Sequence, residues 1–310
     1  MMAMAGSGVA EIVAVADNVA EVADSAARAV GASAVDVDAL LAGEIDVDGI
    51  AIATPSGLHA EQSIVALGNG FSVFCQKPLA RNAAECEAVV EAARAVDRFI
   101  DVDFSYRHLR AVQCVHDVVS SGAIGAVYAA ELVFHNAYGP DKSWYRDPER
   151  SGGGCVIDLG IHLVDLALWL LEWPAVDAVS SRLFAGGRSL SGASAEIEDY
   201  AVARLDLEGG ATVQLACSWN LPAGQDAIIS ATFYGSDGGV SLRNVGGSFY
   251  DFVAERYDGT NRSVLAEPPD EWGGRAACRW VQRLTRTATF DADADRITDV
   301  ARVIDRIYAR

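Results

Sequence analysis

Between Glu11 and Phe104 the chain repeats one pattern: a short run of β-branched and apolar residues, a turn, then a helix-forming stretch. The runs are Glu11–Ala16, Gly49–Ala53, Phe71–Cys75 and Phe99–Phe104. The first three lead into helical stretches at Val19–Val30, His59–Leu67 and Asn82–Val96, with Asn82 placed to cap the last. This is the βαβ rhythm of a parallel sheet covered by helices. The expectation is an α/β domain with a Rossmann-like parallel sheet covered by helices.

After Tyr106 the rhythm changes. Longer runs follow one another with few helices between them: Val127–His135, Ala178–Phe184, Tyr200–Leu207, Ala211–Trp219, Ala227–Tyr234 and Gly239–Leu242. That is the pattern of a mostly antiparallel sheet in an α+β domain. One strong helix interrupts it, Cys155–Leu171, entered through Ser151-Gly-Gly-Gly154. Asp295–Tyr308 is helical by period and is expected to pack back on the body of the protein. A chain of 310 residues exceeds what one core sustains, so the change of pattern divides it into 1–105, a dinucleotide-binding Rossmann-like domain, and 106–310, an α+β domain for substrate binding and oligomerisation.

Composition narrows the partners. With 24 Lys+Arg against 43 Asp+Glu the formal net charge is −19, which repels phosphate backbones and anionic lipid, so neither nucleic acid nor a membrane is an expected partner. The six cysteines form no C-x-x-C pair, indicate no metal site and read as buried, reduced thiols. The start, MMAMAGSGVA, has no basic n-region and no long apolar run, which gives a cytoplasmic expectation. Lysine is scarce: only Lys77 and Lys142 stand among the 24 basic residues.

In a dinucleotide-binding unit an acid ends the second strand and bonds the adenosine ribose, about 20 residues after the glycine fingerprint. Asp17 stands at such a strand end, although a solvated carboxylate would look the same. Counting back places G-x-G-x-x-G ahead of Met1, so the first strand and phosphate loop are expected to be absent from this sequence. Gly6-Ser7-Gly8 reads as the turn between a helix end and the next strand. Thr54-Pro55 follows a strand at the carboxyl edge, where α/β proteins place ligands, though many such turns only reverse the chain. Gln76-Lys77-Pro78 ends the next strand, delivering an ammonium to the crevice unless it is a surface lysine. The proline after it can take the cis form.

Three segments together resemble a known family. The runs Ala53-Thr-Pro-Ser-Gly-Leu-His59, Val73-Phe-Cys-Gln-Lys-Pro-Leu79 and Gly152-Gly-Gly-Cys-Val-Ile-Asp158-Leu-Gly-Ile-His162-Leu-Val-Asp165 look like the Gfo/Idh/MocA oxidoreductases, which include glucose–fructose oxidoreductase and inositol 2-dehydrogenase. The likeness runs in order through essentially the whole chain. Gln76 departs from the family's Glu-Lys-Pro, and a neutral amide there keeps the hydrogen-bonding geometry while changing the field around Lys77. The resemblance implies a nicotinamide cofactor in the first domain, with Asp17, Thr54, Pro55, His59, Gln76 and Lys77 as its contacts. Asp17 favours NAD over NADP, because a carboxylate repels a 2′-phosphate. The resemblance also implies a sugar, cyclitol or related polyol as substrate, and a catalytic trio of Lys77, Asp158 and His162.

Those residue types suit the oxidation of a secondary alcohol. A histidine with a reference pKa of about 6.5 can accept the hydroxyl proton. Asp158, four residues before His162, shares its helix face and can orient the ring, and Lys77 can stabilise the developing alkoxide. The bland alternative is a helix histidine satisfied by Asp158 for stability alone. Asp165 could bind substrate hydroxyls or face a neighbouring arginine, and His59 could stand near the cofactor or cap its own helix. His108 and His116 have no motif behind them. The loop His135–Arg146 is dense in aromatics and donors, so Tyr138 and Trp144 are expected as walls for a polyhydroxylated substrate, with Arg146 or Arg107 as polar contacts.

Three functions compete at this point. An NAD-dependent dehydrogenase leads, and the others are a glycosidase of the same family that uses NAD transiently, and a non-catalytic or cofactor-deficient member. A sheet covered by helices on one face needs its other face buried, so a homodimer or homotetramer is expected.

Overall fold

The computed structural model describes residues 1–190 and 196–309. The chain forms two compact units: Met1–Ala80, Ala84–Ser105 and Gly273–Thr298 make the first, and Arg81–Ala83, Tyr106–Trp272 and Asp299–Arg310 the second.

The first unit carries α1 (Met2–Ala5), β1 (Ala14–Ala16), α2 (Ala20–Val30), β2 (Ser33–Val35), α3 (Val37–Leu41), β3 (Gly49–Ile52), α4 (Ser56–Gly68), β4 (Ser72–Cys75), most of α5 (Ala83–Ala95) and β5 (Ile100–Val102). All its strand pairs are parallel, in two sheets, β1-β2 and β3-β4-β5. β4 is buried along its whole length, as a continuous apolar run between two partners should be. Gly8, at φ 73°, makes the turn between α1 and β1.

The second unit contains α6 (Arg110–Ser120), β6 (Val127–Asn136), α7 (Pro148–Ser151), α8 (Ile161–Leu170) and β7 (Val176–Ala185), then β8 (Arg188–Ser189), β9 (Tyr200–Leu207), β10 (Thr212–Ser218) and β11 (Ala227–Gly235). β12 (Gly238–Asn244), β13 (Phe252–Asp258) and β14 (Asn261–Ala266) complete its strands. They form one nine-stranded sheet in the order β14-β13-β12-β11-β6-β10-β9-β7-β8, parallel at the β6–β10 pair and antiparallel elsewhere. Along β6 and β9 the residues alternate: Ala130, Leu132, Phe134, Ala203 and Leu205 are buried, while Glu131, Val202 and Arg204 are exposed. The stretch Pro148–Leu170 is long and apolar enough to cross a membrane by length and composition, and 89% of its most apolar window is buried inside the protein. It is a core helix.

Two expectations are corrected. The second domain does not run unbroken from 106 to the end, because Gly273–Thr298 belongs to the first unit. There α9 (Arg275–Leu284) lays Ala276, Ala277, Trp280 and Val281 against Met4, Phe74 and Phe99. An amphipathic period shows that a helix buries one face but not which sheet receives it. Gly49 permits this packing: a Cβ there would lie 2.8 Å from the Trp280 ring and 2.9 Å from the Ser72 carbonyl. The helix read as Cys155–Leu171 is also not uniform, since Val156–Gly160 is π-helical before α8 begins. All six cysteines are free, with Cys114 and Cys278 only half-buried. The last helix, α10 (Asp295–Tyr308), ends in the second unit.

Candidate active site

In the first unit the carboxyl ends of β3, β4 and β5 present the polar groups. Gln76 bridges two neighbours: its Oε1 accepts the Lys77 N–H at 2.9 Å, and its Nε2 donates to Asp103 Oδ2 at 3.2 Å. Asp103, one residue past β5, escaped the sequence reading. Its signal was an acid near the end of the fourth run, Phe99–Phe104. Burial raises its pKa, and the Gln76 amide and the Lys77 charge pull it back. The Lys77–Pro78 peptide is cis.

Thr54, at the end of β3, donates its hydroxyl to Gln62 Oε1 at 2.7 Å, and Pro55 leads directly into α4. His59 is 1% exposed and does not cap its helix. Its Nδ1 lies 2.7 Å from the Pro78 carbonyl and its Nε2 2.6 Å from the Thr54 carbonyl, so both ring nitrogens face backbone. Asp17 is exposed just past β1, where Oδ1 accepts the Val19 N–H at 2.8 Å. Asp17 thus stands just past β1, while Thr54, Pro55, Gln76 and Lys77 stand beyond the carboxyl ends of β3 and β4. The sequence contains no G-x-G-x-x-G, so the residues present do not supply the usual pyrophosphate cradle.

The second unit builds its site on the π turn ahead of α8. Glu198, 2% exposed, accepts the N–H groups of Gly154 and Val156 at 3.0 and 2.9 Å, neutralising the free donors that begin this helix. The Tyr308 hydroxyl donates to Glu198 at 2.7 Å and itself accepts the Ile157 N–H at 3.3 Å. The triple glycine is required by these approaches. A Cβ on Gly152 would lie 2.8 Å from Arg81 Cβ, one on Gly153 2.1 Å from the Tyr308 hydroxyl, and one on Gly154 2.0 Å from the Glu198 carbonyl.

Asp158 therefore sits on a wide π turn rather than a regular α-helix, a feature common at functional sites. Its Oδ2 accepts the Trp219 indole N–H at 3.0 Å. The charge of Asp158 also reaches two tyrosines: burial raises the pKa of Tyr106, and that of Tyr145 to about 12, with Asp158 adding to each. His162, 6% exposed, packs its ring 4.9 Å from Tyr106 and 6.2 Å from Phe134. His162 and Asp158 thus both act on Tyr106, on the segment 156–170, whose only other titratable group is Asp165.

Of the expected substrate contacts, Asp165 and Arg107 bind each other. The guanidinium grips the carboxylate with Nε and Nη2, with Nε at 2.9 Å from Oδ2. Burial raises the pKa of the 1%-exposed Asp165, and Arg107 pulls it back. The neighbouring-arginine alternative is the one formed, and it engages the polar atoms that a hydroxyl would need. Trp144 stacks on Tyr145 at 3.8 Å, and Tyr145 meets Trp219 edge-on at 6.2 Å, which links that wall to Asp158. Tyr138 and Arg146 stand exposed on the same loop. A cavity of about 400 Å³ is lined by Phe184, Asp199, Tyr200, Trp219 and Asn220 among others. Tyr106, Tyr145, Glu198, Trp219 and Tyr308 carried no local motif. Among the described residues no group of three or more His, Cys, Asp or Glu is placed to hold a metal ion.

Residues 2–104 match the Gfo/Idh/MocA oxidoreductase family, NAD-binding Rossmann fold, and residues 112–241 match the Gfo/Idh/MocA C-terminal domain. The chain belongs to the Gfo/Idh/MocA family. It is similar to D-glucoside 3-dehydrogenase of Escherichia coli (strain K12), with 28% identity over 75% of this chain and 69% of that protein. It is also similar to inositol 2-dehydrogenase 3 of Saccharopolyspora erythraea, with 30% identity over 75% of this chain and 65% of that protein. The matched region thus spans about two thirds of these relatives. The structure of KijD10, a 3-ketoreductase from Actinomadura kijaniata in complex with NADP and TDP-benzene, superposes with a TM-score of 0.82. It is 20% identical and covers 99% of this chain and 92% of that one, a likeness of fold.

Proposed function

We propose that this family member is an NAD-dependent dehydrogenase acting on a secondary alcohol of a sugar, cyclitol or related polyol, as a homo-oligomer. The observation that carries the reading is the buried His162 and the Trp219-bound Asp158 on one apolar helical segment. Titratable groups set in such apolar surroundings cluster at functional sites. The nicotinamide, when bound, supplies the hydride acceptor. His162 takes the hydroxyl proton, and Asp158, held by Trp219, stabilises the imidazolium that results. Lys77, whose backbone N–H is anchored by Gln76, donates to the reacting oxygen and stabilises its negative charge. The aromatic faces of Trp144, Tyr145 and Trp219 suit the C–H faces of a sugar ring. Asp17, exposed at its strand end, favours NAD over NADP.

The test is NADH formation with a panel of sugars and cyclitols, each run with NAD and with NADP. Lys77→Met is expected to lower kcat by about a hundredfold or more. Full activity in that variant would sink the role given to Lys77, and a clear preference for NADP would sink the role given to Asp17. Sugar release without NADH accumulation would move the reading to the glycosidase.

A further inference from the structure

Adjacent strands β3 and β4 pair in register from Gly49 with Ser72 to Ile52 with Cys75, and the ladder ends where the Gln76 N–H reaches the Ile52 carbonyl at 2.8 Å. Beyond that point the chain turns twice, at Thr54–Pro55 and at Lys77–Pro78, and among the described residues the His59 ring spans the two turns. Nδ1 faces the Pro78 carbonyl at 2.7 Å and Nε2 the Thr54 carbonyl at 2.6 Å. A neutral imidazole has one N–H and donates to one carbonyl at a time, and a second proton is needed to satisfy both. Burial lowers the pKa of His59, the two carbonyls raise it, and the Lys77 ammonium lowers it again. At 1% exposure the ring has no solvent to replace either contact.

We propose that His59 is a positioning residue that fixes the Lys77–Pro78 turn against the Thr54–Pro55 turn, one ring nitrogen against each carbonyl and the single ring N–H donating to one of them. The consequence for chemistry, that His59 sets where the Lys77 ammonium stands, rests on the dehydrogenase reading. The clamp itself does not. Its two halves are separable, because the amide nitrogen of asparagine falls where histidine has Nδ1 and that of glutamine where it has Nε2. His59→Asn keeps an amide group toward the Pro78 carbonyl and leaves the Thr54 carbonyl without its ring contact, and His59→Gln does the reverse.

Amide hydrogen exchange on the full chain, without cofactor or substrate, reads the two turns directly. His59→Asn is expected to speed exchange at Ser56–Leu58 by about tenfold, the worth of one buried hydrogen bond, and to leave Lys77 and Leu79 near wild type. His59→Gln is expected to show the opposite pattern, and His59→Ala to loosen both segments. Equal loosening of both turns by Asn and Gln, or loosening of neither, would overturn the proposal. In the unsubstituted chain, ¹⁵N-histidine NMR is expected to show a His59 ring N–H protected from solvent exchange, and a rapidly exchanging ring proton would also overturn it. Neither readout requires turnover, so the outcome is independent of the Lys77→Met assay.

Discussion

Asp158 was readable from its place four residues before His162, but its partner was not, because Trp219 lies 61 residues further on and reaches it through the end of β10. A hydrogen bond to a charged group is worth about 1.5–3 kcal/mol. Trp219→Phe, which keeps an aromatic ring and removes the donor, is expected to lower kcat about tenfold to a hundredfold. An unchanged kcat would make the bond structural. His135 allows a second prediction at this scale. It contacts Ser218 Oγ at 2.8 Å and stacks on Tyr200, and burial lowers its pKa from 6.5. The unfolded chain therefore takes up this proton more readily than the folded one. The stabilisation is fully present above the unfolded value and is lost as pH falls through the folded one. The melting temperature of His135→Gln, followed downward from about pH 7, is expected to fall less steeply than that of the wild type, and an unchanged slope would refute the assignment.

The element that matters most is the helical segment from Gly152 through α8, and its geometry is enforced from outside. A methyl group on Gly154 would collide with the Glu198 carbonyl, so Gly154→Ala is expected to cost about 3 kcal/mol or more in urea unfolding. Tyr308→Phe removes only the hydroxyl that bonds Glu198, and a loss of about 1–2 kcal/mol is expected in the same experiment. A larger loss for Tyr308→Phe than for Gly154→Ala would reverse this account of the cap. At the other end of the segment, Arg107→Ala leaves Asp165 buried without the guanidinium that grips it. A destabilisation of about 3–5 kcal/mol is expected, and Asp165→Asn in the same background should restore part of it. The glycines and the Asp-x-x-x-His spacing were visible in the sequence. The π turn between them was not, because the segment is apolar on nearly every face and leaves no stripe in which an extra residue would show as a phase shift.

Across the whole molecule, one face of the nine-stranded sheet buries Leu132, Leu205, Val213 and Leu215, while Glu131, Val202, Arg204 and Gln214 point the other way and are exposed. A broad sheet with one such open face is expected to pair with a second copy. Light scattering is expected to return a mass of two or four times the 32.7 kDa chain, and a monomer would defeat the expectation. Tyr200→Glu and Val202→Glu, which place charge on that face, are expected to shift the mass toward the single chain.

The alternation of strand and helix, the change of rhythm after Tyr106, the acidic charge balance and the three family motifs were all determined by the sequence alone. Each is local: backbone geometry imposes a period of two or 3.6 residues on any buried face, and a motif is a fixed spacing. The tertiary structure decided what local spacing leaves open. It placed α9 on the first unit through Trp280 and Gly49, turned Asp165 toward Arg107, gave Asp158 the Trp219 indole, and set His59 between two carbonyls. A side chain's chemistry is written in its residue type, whereas its partner depends on which distant segments the fold brings within about 3 Å.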